Sequence, residues 1–320
     1  MYGAGAIGGV VGGRLAQHGH DVVLIARGGH HDALHDAGLR VESPDETVTL
    51  RIPVVDTPAA VEFAAHDVVF LCVKSQDTTG ALAALRAVAP PEVRVVCLQN
   101  GVANERAALR MFPNVYGVCV VLPAVHVQPG VVEANATPIT GILDVGRYPH
   151  GVDHVAEALA GAFRASTFAS EARPDIMRWK YGKLLNNLGN AVDALCGPEA
   201  RGGDLIRQLR AEGNACLDAA GIDRVSREED SERRGDLFQW GSAAAMSRAG
   251  SSSWQSLARG QGSIEADYLN GEIVLLGRLH GIPTPANELL QRLANQAARE
   301  GWAPGKMTLE EVIRMVPGHE

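Results

Sequence analysis

With 320 residues, 46% of them apolar and 21% charged, the chain is long enough for two folded cores and too apolar to be disordered. A net charge of −8 argues against nucleic acid or an anionic membrane as partner, and no apolar run approaches the ~20 residues of a membrane span. Five cysteines without a C-x-x-C pair read as buried, reduced thiols of a cytoplasmic protein rather than zinc ligands or disulfides.

Gly3-Ala4-Gly5-Ala6-Ile7-Gly8 reads G-x-G-x-x-G and runs into Val10, Val11, Leu15 and Ala16, an apolar stripe at helical spacing. The first glycine permits a tight turn and the second lets backbone approach a pyrophosphate. The third lets the helix pack closely on its strand, with the N–H groups at its start facing the anion. The β-branched run at residues 21–26 completes a β-α-β dinucleotide-binding unit. Only Met1 and Tyr2 stand where the motif's leading strand should be. The expectation is a start site assigned too late, with an apolar strand upstream.

Arg27 stands about 20 residues past the glycines, where an acidic residue would take the ribose 2′-hydroxyl of NAD. Arginine instead offers a fork to a 2′-phosphate, which predicts NADP(H); the bland alternative is a solvated strand-end arginine. His31 and His35 have the spacing of a metal pair, but with no third ligand His30, His31 and His35 are expected as exposed residues and no metal is expected.

Residues 39–55 read as short strands and residues 67–73 as a buried parallel strand with Lys74 at its carboxyl end. Residues 94–98 form the next, ending in Gln99-Asn100-Gly101. Ligands of open α/β sheets bind beyond such ends, so Lys74 meets cofactor or reaches solvent, and Asn100 binds a ligand or makes a turn. Strands at 115–122 and 139–145, a hairpin at 125–134 and a helix at 152–164 complete a first domain, residues 1–168.

A linker at 171–175 leads to a second domain, residues 175–320, where the periodicity is helical and strand-like runs vanish. One helix is predicted over 176–195, with Lys183, Asn187 and Asn190 at i, i+4 and i+7 on one face. A solvated polar face is the alternative. Beside a nucleotide site, Lys183 reads as the proton donor to the alkoxide formed when hydride reduces a ketone. Ser251-Ser252-Ser253 comes next, and Glu265 opens a helix carrying Ile273, Leu276 and Leu279 on its apolar face. A carboxylate there is functional, or simply favourable against the helix dipole. An amphipathic helix to about residue 300 and a short one at 307–315 end the chain.

Taken in order, these motifs resemble the ketopantoate reductase (2-dehydropantoate 2-reductase) family across residues 3–285. They are the glycine turn, Arg27, Val73-Lys74, Gln99-Asn100-Gly101, Lys183-x-x-x-Asn187, the serines, Glu265-x-Asp267-Tyr268-x-Asn270-Gly271, and His280-Gly281-Ile282-Pro283-Thr284-Pro285. The resemblance implies an α/β protein, an N-terminal Rossmann-type dinucleotide-binding domain followed by an all-α C-terminal domain, with the site in the cleft between them. It implies NADPH-dependent reduction of a small 2-keto acid, ketopantoate by default, to the 2-hydroxy acid in pantothenate biosynthesis. Lys183 would be the general acid and Glu265 would hold a substrate hydroxyl or cofactor. Asn187, with Asn190 near it, and Ser252 or Ser253 would bind substrate. The turn Gly3, Ala4, Gly5, Ala6, Ile7 and Gly8, with Arg27, Lys74, Asn100 and the loop at Ala124, would hold NADPH. Dimerisation through the helical domain is also implied. Three departures fall on the substrate side. Ala191 stands where the family often has a second Asn, eight residues after the lysine; Ala249-Gly250 replaces an Asn before the serines; and one extra residue precedes Glu265. The alternatives are a reductase of another small ketone and a non-catalytic NADP(H)-binding sensor or scaffold.

Overall fold

The computed structural model describes residues 1–200, 202–237, 239–240, 250–260 and 262–317; Ala249 therefore lies outside the described residues. They form two compact units. The first holds Met1–Lys180 with the helix Arg227–Arg234 and the strand Gln239–Trp240, and the second holds Tyr181–Ser226 with the described residues from Gly250 onward. The division runs within the helix Ile176–Asn187 rather than at residues 168–175, and a later segment belongs to the first unit.

In the first unit, the strands in chain order are β1 (Leu24–Ile25), β2 (Leu39–Glu42), β3 (Thr47–Leu50), β4 (Val54–Val55), β5 (Val68–Leu71) and β6 (Arg94–Cys97). They continue as β7 (Asn114–Val121), β8 (Ala124–Gln128), β9 (Val131–Ala134), β10 (Ala136–Thr137), β11 (Gly141–Arg147) and β12 (Phe168–Ala169). The main sheet runs β4-β1, then Tyr2, then β5-β6-β7-β11-β12. Tyr2 bridges in parallel to both Ile25 and Leu71, so even this single residue occupies the central position. β5, β6 and β7 are parallel and β11 is antiparallel to β7. Both faces are covered: Phe70, Val96 and Val118 sit in one buried cluster, and Val69, Leu71, Val95 and Val115 in another. Burial on both sides is why these strands read as continuous apolar runs.

A second sheet, β3-β2-β9-β8, packs on the other side of the helix Ala6–Gln17. That helix is sandwiched. A methyl at Gly12 would lie 2.8 Å from Met1 and 3.1 Å from Leu24, whereas methyls at Gly9 and Gly13 would lie 2.8 Å from Val132 and 2.7 Å from Val41. Gln239–Trp240 pairs antiparallel with β10, a strand too short for its alternation to be read and contrary to the expected all-helical second half.

The second unit is built from the end of the Ile176–Asn187 helix and the helices Asn190–Cys196, Asp204–Ala219, Ser252–Ala258, Asn270–His280, Pro285–Arg299 and Leu309–Arg314. Glu212 caps one of them internally, its carboxylate accepting from the Ala286 and Asn287 N–H groups at 3.0 Å each. On Asn270–His280 the buried stripe is Asn270, Ile273, Val274 and Gly277, so Leu279 falls on the far side and is 68% exposed, not on the apolar face. Among the described residues no helix is long and apolar enough to cross a membrane.

Candidate active site

The glycine turn leaves the sheet from Tyr2, between β1 and β5, at the point where strand order reverses. Gly3 has φ +99°, and a methyl there would meet the Val73 N atom at 3.0 Å. A methyl at Gly8 would overlap the Gly3 carbonyl oxygen and lie 3.0 Å from Cys72 Cβ. At Gly5 a methyl would meet nothing within 4 Å. So Gly3 is needed by the backbone and Gly8 by the helix-on-strand contact, while the space beside Gly5 stays open. That is the space a dinucleotide pyrophosphate needs, directly at the start of Ala6–Gln17, whose first amides have no partner within the helix. The residues present fit the cofactor that the motif announces.

This arrangement yields a contrast. Gly8→Ala should cost about 3 kcal/mol, the upper end of overpacking, and lower the urea midpoint accordingly. Gly5→Ala should leave that midpoint nearly unchanged yet weaken nucleotide binding in a fluorescence titration.

Arg27 is exposed at the end of β1, in extended conformation (φ −130°, ψ 157°), just ahead of the helix Gly28–Ala37. His30, in that helix, is half-buried against the glycine turn rather than exposed as expected; a lone histidine carries no periodic signal of burial. Ala124 opens β8 and is buried.

Lys74 and Asn100 follow β5 and β6, and both are half-buried. Beneath them lies a buried polar network. Gln99 Nε2 donates to the Val73 carbonyl at 2.6 Å and to Thr78 Oγ1 at 2.9 Å. Thr78 in turn donates to Asn104 Oδ1 at 2.8 Å, and Asn104 Nδ2 donates to the Asn100 carbonyl at 3.1 Å and to Ser75 Oγ at 3.2 Å. Under that network Lys180 Nζ reaches Glu105 Oε1 at 2.5 Å and donates to the carbonyls of Gln99 (2.9 Å) and Val118 (3.3 Å). Both side chains are essentially inaccessible to solvent. Each loop that should carry a cofactor residue is thus tied to its neighbour through groups that water cannot compete for. The sequence reading missed Thr78, Asn104, Glu105 and Lys180. The signal available was the concentration of polar residues just past two apolar strands.

The cysteines supply no nucleophile here. Burial pushes the Cys72 thiol up to about 12 and Cys97 well above its ordinary value, Glu105 adding to the latter.

In the second unit Lys183 and Asn187 lie one turn apart on the Ile176–Asn187 helix, both half-buried. The expected single helix over 176–195 is two. It breaks at Leu188-Gly189 and restarts at Asn190, so Asn190 opens a separate helix from the one that carries Lys183 and Asn187. Buried Asn270 meets the break, its Nδ2 donating to the Leu188 carbonyl at 3.1 Å. Asn190 is instead joined to the serines. Ser251 Oγ donates to the Asn190 carbonyl at 3.2 Å, the Ser251 N–H donates to Asp193 Oδ2 at 2.6 Å, and Ser251 also caps the helix that begins with Ser252 and Ser253. Ser252 is half-buried and Ser253 buried. Glu265 is 6% exposed, at the head of the 3-10 turn Glu265–Tyr268 that precedes the Asn270–His280 helix, not in that helix's own first turn.

A glycine turn at a sheet switch point, followed by a helical unit, defines a dinucleotide-binding type of fold. Comparison with known proteins makes the class particular. Residues 1–149 match the family described as ketopantoate reductase PanE/ApbA, and residues 175–298 match its C-terminal domain. A PanE/ApbA family ketopantoate reductase from Ralstonia eutropha JMP134 is 31% identical, with a TM-score of 0.78, over 94% of this chain and 99% of that one. The 2-dehydropantoate 2-reductases of Caulobacter vibrioides and Halobacterium salinarum are 30% and 29% identical, over 93% and 94% of this chain and 98% and 99% of theirs. A D-mandelate dehydrogenase solved with NADH and anilino(oxo)acetate shares the fold at 21% identity, with a TM-score of 0.79 over 94% of this chain and 99% of that one. The chain belongs to the ketopantoate reductase family. It is an oxidoreductase acting on a keto or CH–OH group.

Proposed function

We propose that the chain reduces ketopantoate to the 2-hydroxy acid with NADPH, Lys183 serving as general acid. The bound nicotinamide supplies a hydride to the keto carbon. The protein's part is to hold the pyrophosphate on the first amides of Ala6–Gln17, to meet the 2′-phosphate with Arg27, and to set Lys74 and Asn100 toward the cofactor. Ala124 flanks the nicotinamide. As the keto oxygen becomes an alkoxide, the Lys183 ammonium gives it a proton, and its charge stabilises the oxygen beforehand. Asn187 and Asn190 orient the substrate, Ser252 or Ser253 takes its carboxylate, and Glu265 accepts from its hydroxyl. The reading includes a cytoplasmic enzyme of pantothenate biosynthesis that dimerises through its helical domain.

The observation that carries the cofactor half is the open space beside Gly5 in a turn whose other two glycines are tightly packed. Mixing purified protein with NADPH and a panel of 2-keto acids tests the whole: absorbance at the nicotinamide band should fall fastest with ketopantoate. No loss with any keto acid, despite NADPH binding, would leave only the non-catalytic reading. A second substrate is favoured by one feature. Ala191 is 2% exposed where the family often carries an Asn, so a faster reaction with another small keto acid would reassign the substrate but not the chemistry.

Arg27→Glu should weaken NADPH binding about 10–100-fold, the 1.5–3 kcal/mol of hydrogen bonds to a charged group, while NADH binding holds or improves. Equal losses for both nucleotides would remove Arg27 from the 2′-phosphate.

A further inference from the structure

One side chain touches the glycine turn without belonging to the motif. His30 Nε2 stands 2.8 Å from the Ala4 carbonyl oxygen, and the Gly130 N–H donates to His30 Nδ1 at 3.0 Å. Because a backbone N–H can only donate, Nδ1 must be the acceptor nitrogen, and the proton of the neutral ring then sits on Nε2 and is donated to Ala4. The His126 ring lies against this imidazole, centroids 4.3 Å apart. Burial holds His30 below its ordinary value, so the ring is neutral near pH 7.

In a trans peptide the carbonyl and the next N–H point to opposite sides. Drawing the Ala4 carbonyl toward His30 therefore fixes the Gly5 N–H on the other side, in the turn where the anion is proposed to bind. His30 also sits three residues after Arg27, so one ring links the pyrophosphate turn, the start of the helix behind Arg27 and the β8–β9 hairpin at Gly130.

We propose that His30 is a positioning residue for the dinucleotide, its Nε2–H setting the Ala4–Gly5 peptide so that the Gly5 amide faces the pyrophosphate. This rests on the cofactor reading above. The carbonyl that His30 holds belongs to a peptide that any dinucleotide shares, so its effect should be the same for NADPH and NADH, unlike that of Arg27.

The test uses two isosteres of the two ring nitrogens. Glutamine places an amide nitrogen about where Nε2 lies, and asparagine places a polar atom about where Nδ1 lies. His30→Gln should keep the Ala4 contact and bind NADPH nearly as wild type. His30→Asn should keep the hairpin contact, lose Ala4, and raise the NADPH Kd and KM about 5–10-fold, the size of one neutral hydrogen bond, with the change in KM rather than kcat. Nucleotide-free melting temperatures of the two variants should match. If asparagine binds NADPH as well as glutamine does, or if the losses follow melting temperature, His30 merely anchors the hairpin and the proposal falls. If wild type binds neither NADPH nor NADH, the cofactor reading itself fails and this inference goes with it.

Discussion

Lys183→Ala should lower turnover about 10²–10⁴-fold, the range expected when a positioned proton donor is removed. The NADPH Kd should stay within a small factor, since Lys183 is proposed to act on the substrate oxygen and not on the nucleotide. Lys183→Arg separates two parts of that effect. It keeps a cation near the developing alkoxide but cannot give up its proton at accessible pH, so it should recover affinity for the keto acid and little of the rate. Steady-state kinetics with saturating NADPH, scanned over pH, read both. The fall in rate at high pH that follows loss of the lysine proton in wild type should be absent in the arginine variant. Turnover of Lys183→Ala equal to wild type would take the lysine out of the mechanism and leave the family's chemistry to be carried by another group.

The second large effect is on stability. Lys180→Met strands the Glu105 carboxylate in a site with no accessible surface, and Glu105→Gln strands the Lys180 ammonium against two carbonyls. Breaking a buried ion pair from one side costs about 3–5 kcal/mol, a large part of the 5–15 kcal/mol that holds a typical domain together. Each single variant should therefore unfold at markedly lower urea. Replacing the pair together, Lys180→Met with Glu105→Leu, removes both charges and should return most of the loss, so that in the cycle closed by the single Glu105→Leu the double variant costs far less than the sum of its two singles. Additive losses would show that the two side chains are buried independently. Because Lys180 also holds the Gln99 carbonyl, the singles should weaken nucleotide binding as well, through the Asn100 loop.

How far the sequence could be read depended on whether the signal was periodic. The strands of the main sheet announced themselves because burial on both faces gives unbroken runs such as Val68–Leu71, and the turn at Gly3–Gly8 did so because each glycine has a separate steric reason. The residues proposed to hold the cofactor lie on or just past those elements, so their positions in the fold were legible with them. What escaped was set by single long-range contacts. The break at Leu188-Gly189 is met by Asn270, far along the chain, whose amide donates to the Leu188 carbonyl; its one local mark is Gly189 between asparagines. No pattern marks Lys180 as buried; three residues before Lys183 in a polar-looking stretch, it is defined by Glu105. His30 was misjudged for the same reason, being held by Ala4 and Gly130. The return of Arg227–Arg234 to the first unit rests on ion pairs, Arg178 with Glu229 and Arg233 with Asp144, between residues 51 and 89 positions apart.

The helix sandwiched between the two sheets contains Gly8, Gly9, Gly12 and Gly13, each about 1 kcal/mol less favourable in a helix than alanine. Left alone it would be coil; it exists because layers on either side press it into shape. Its first turn, proposed to face the phosphates, is thus tied in order to β2 and β9, on the side of the helix away from the main sheet. Deuterium uptake should slow in those distant strands when coenzyme is added, and loosening them, for instance with Val41→Ala, should release coenzyme without altering any group that holds it.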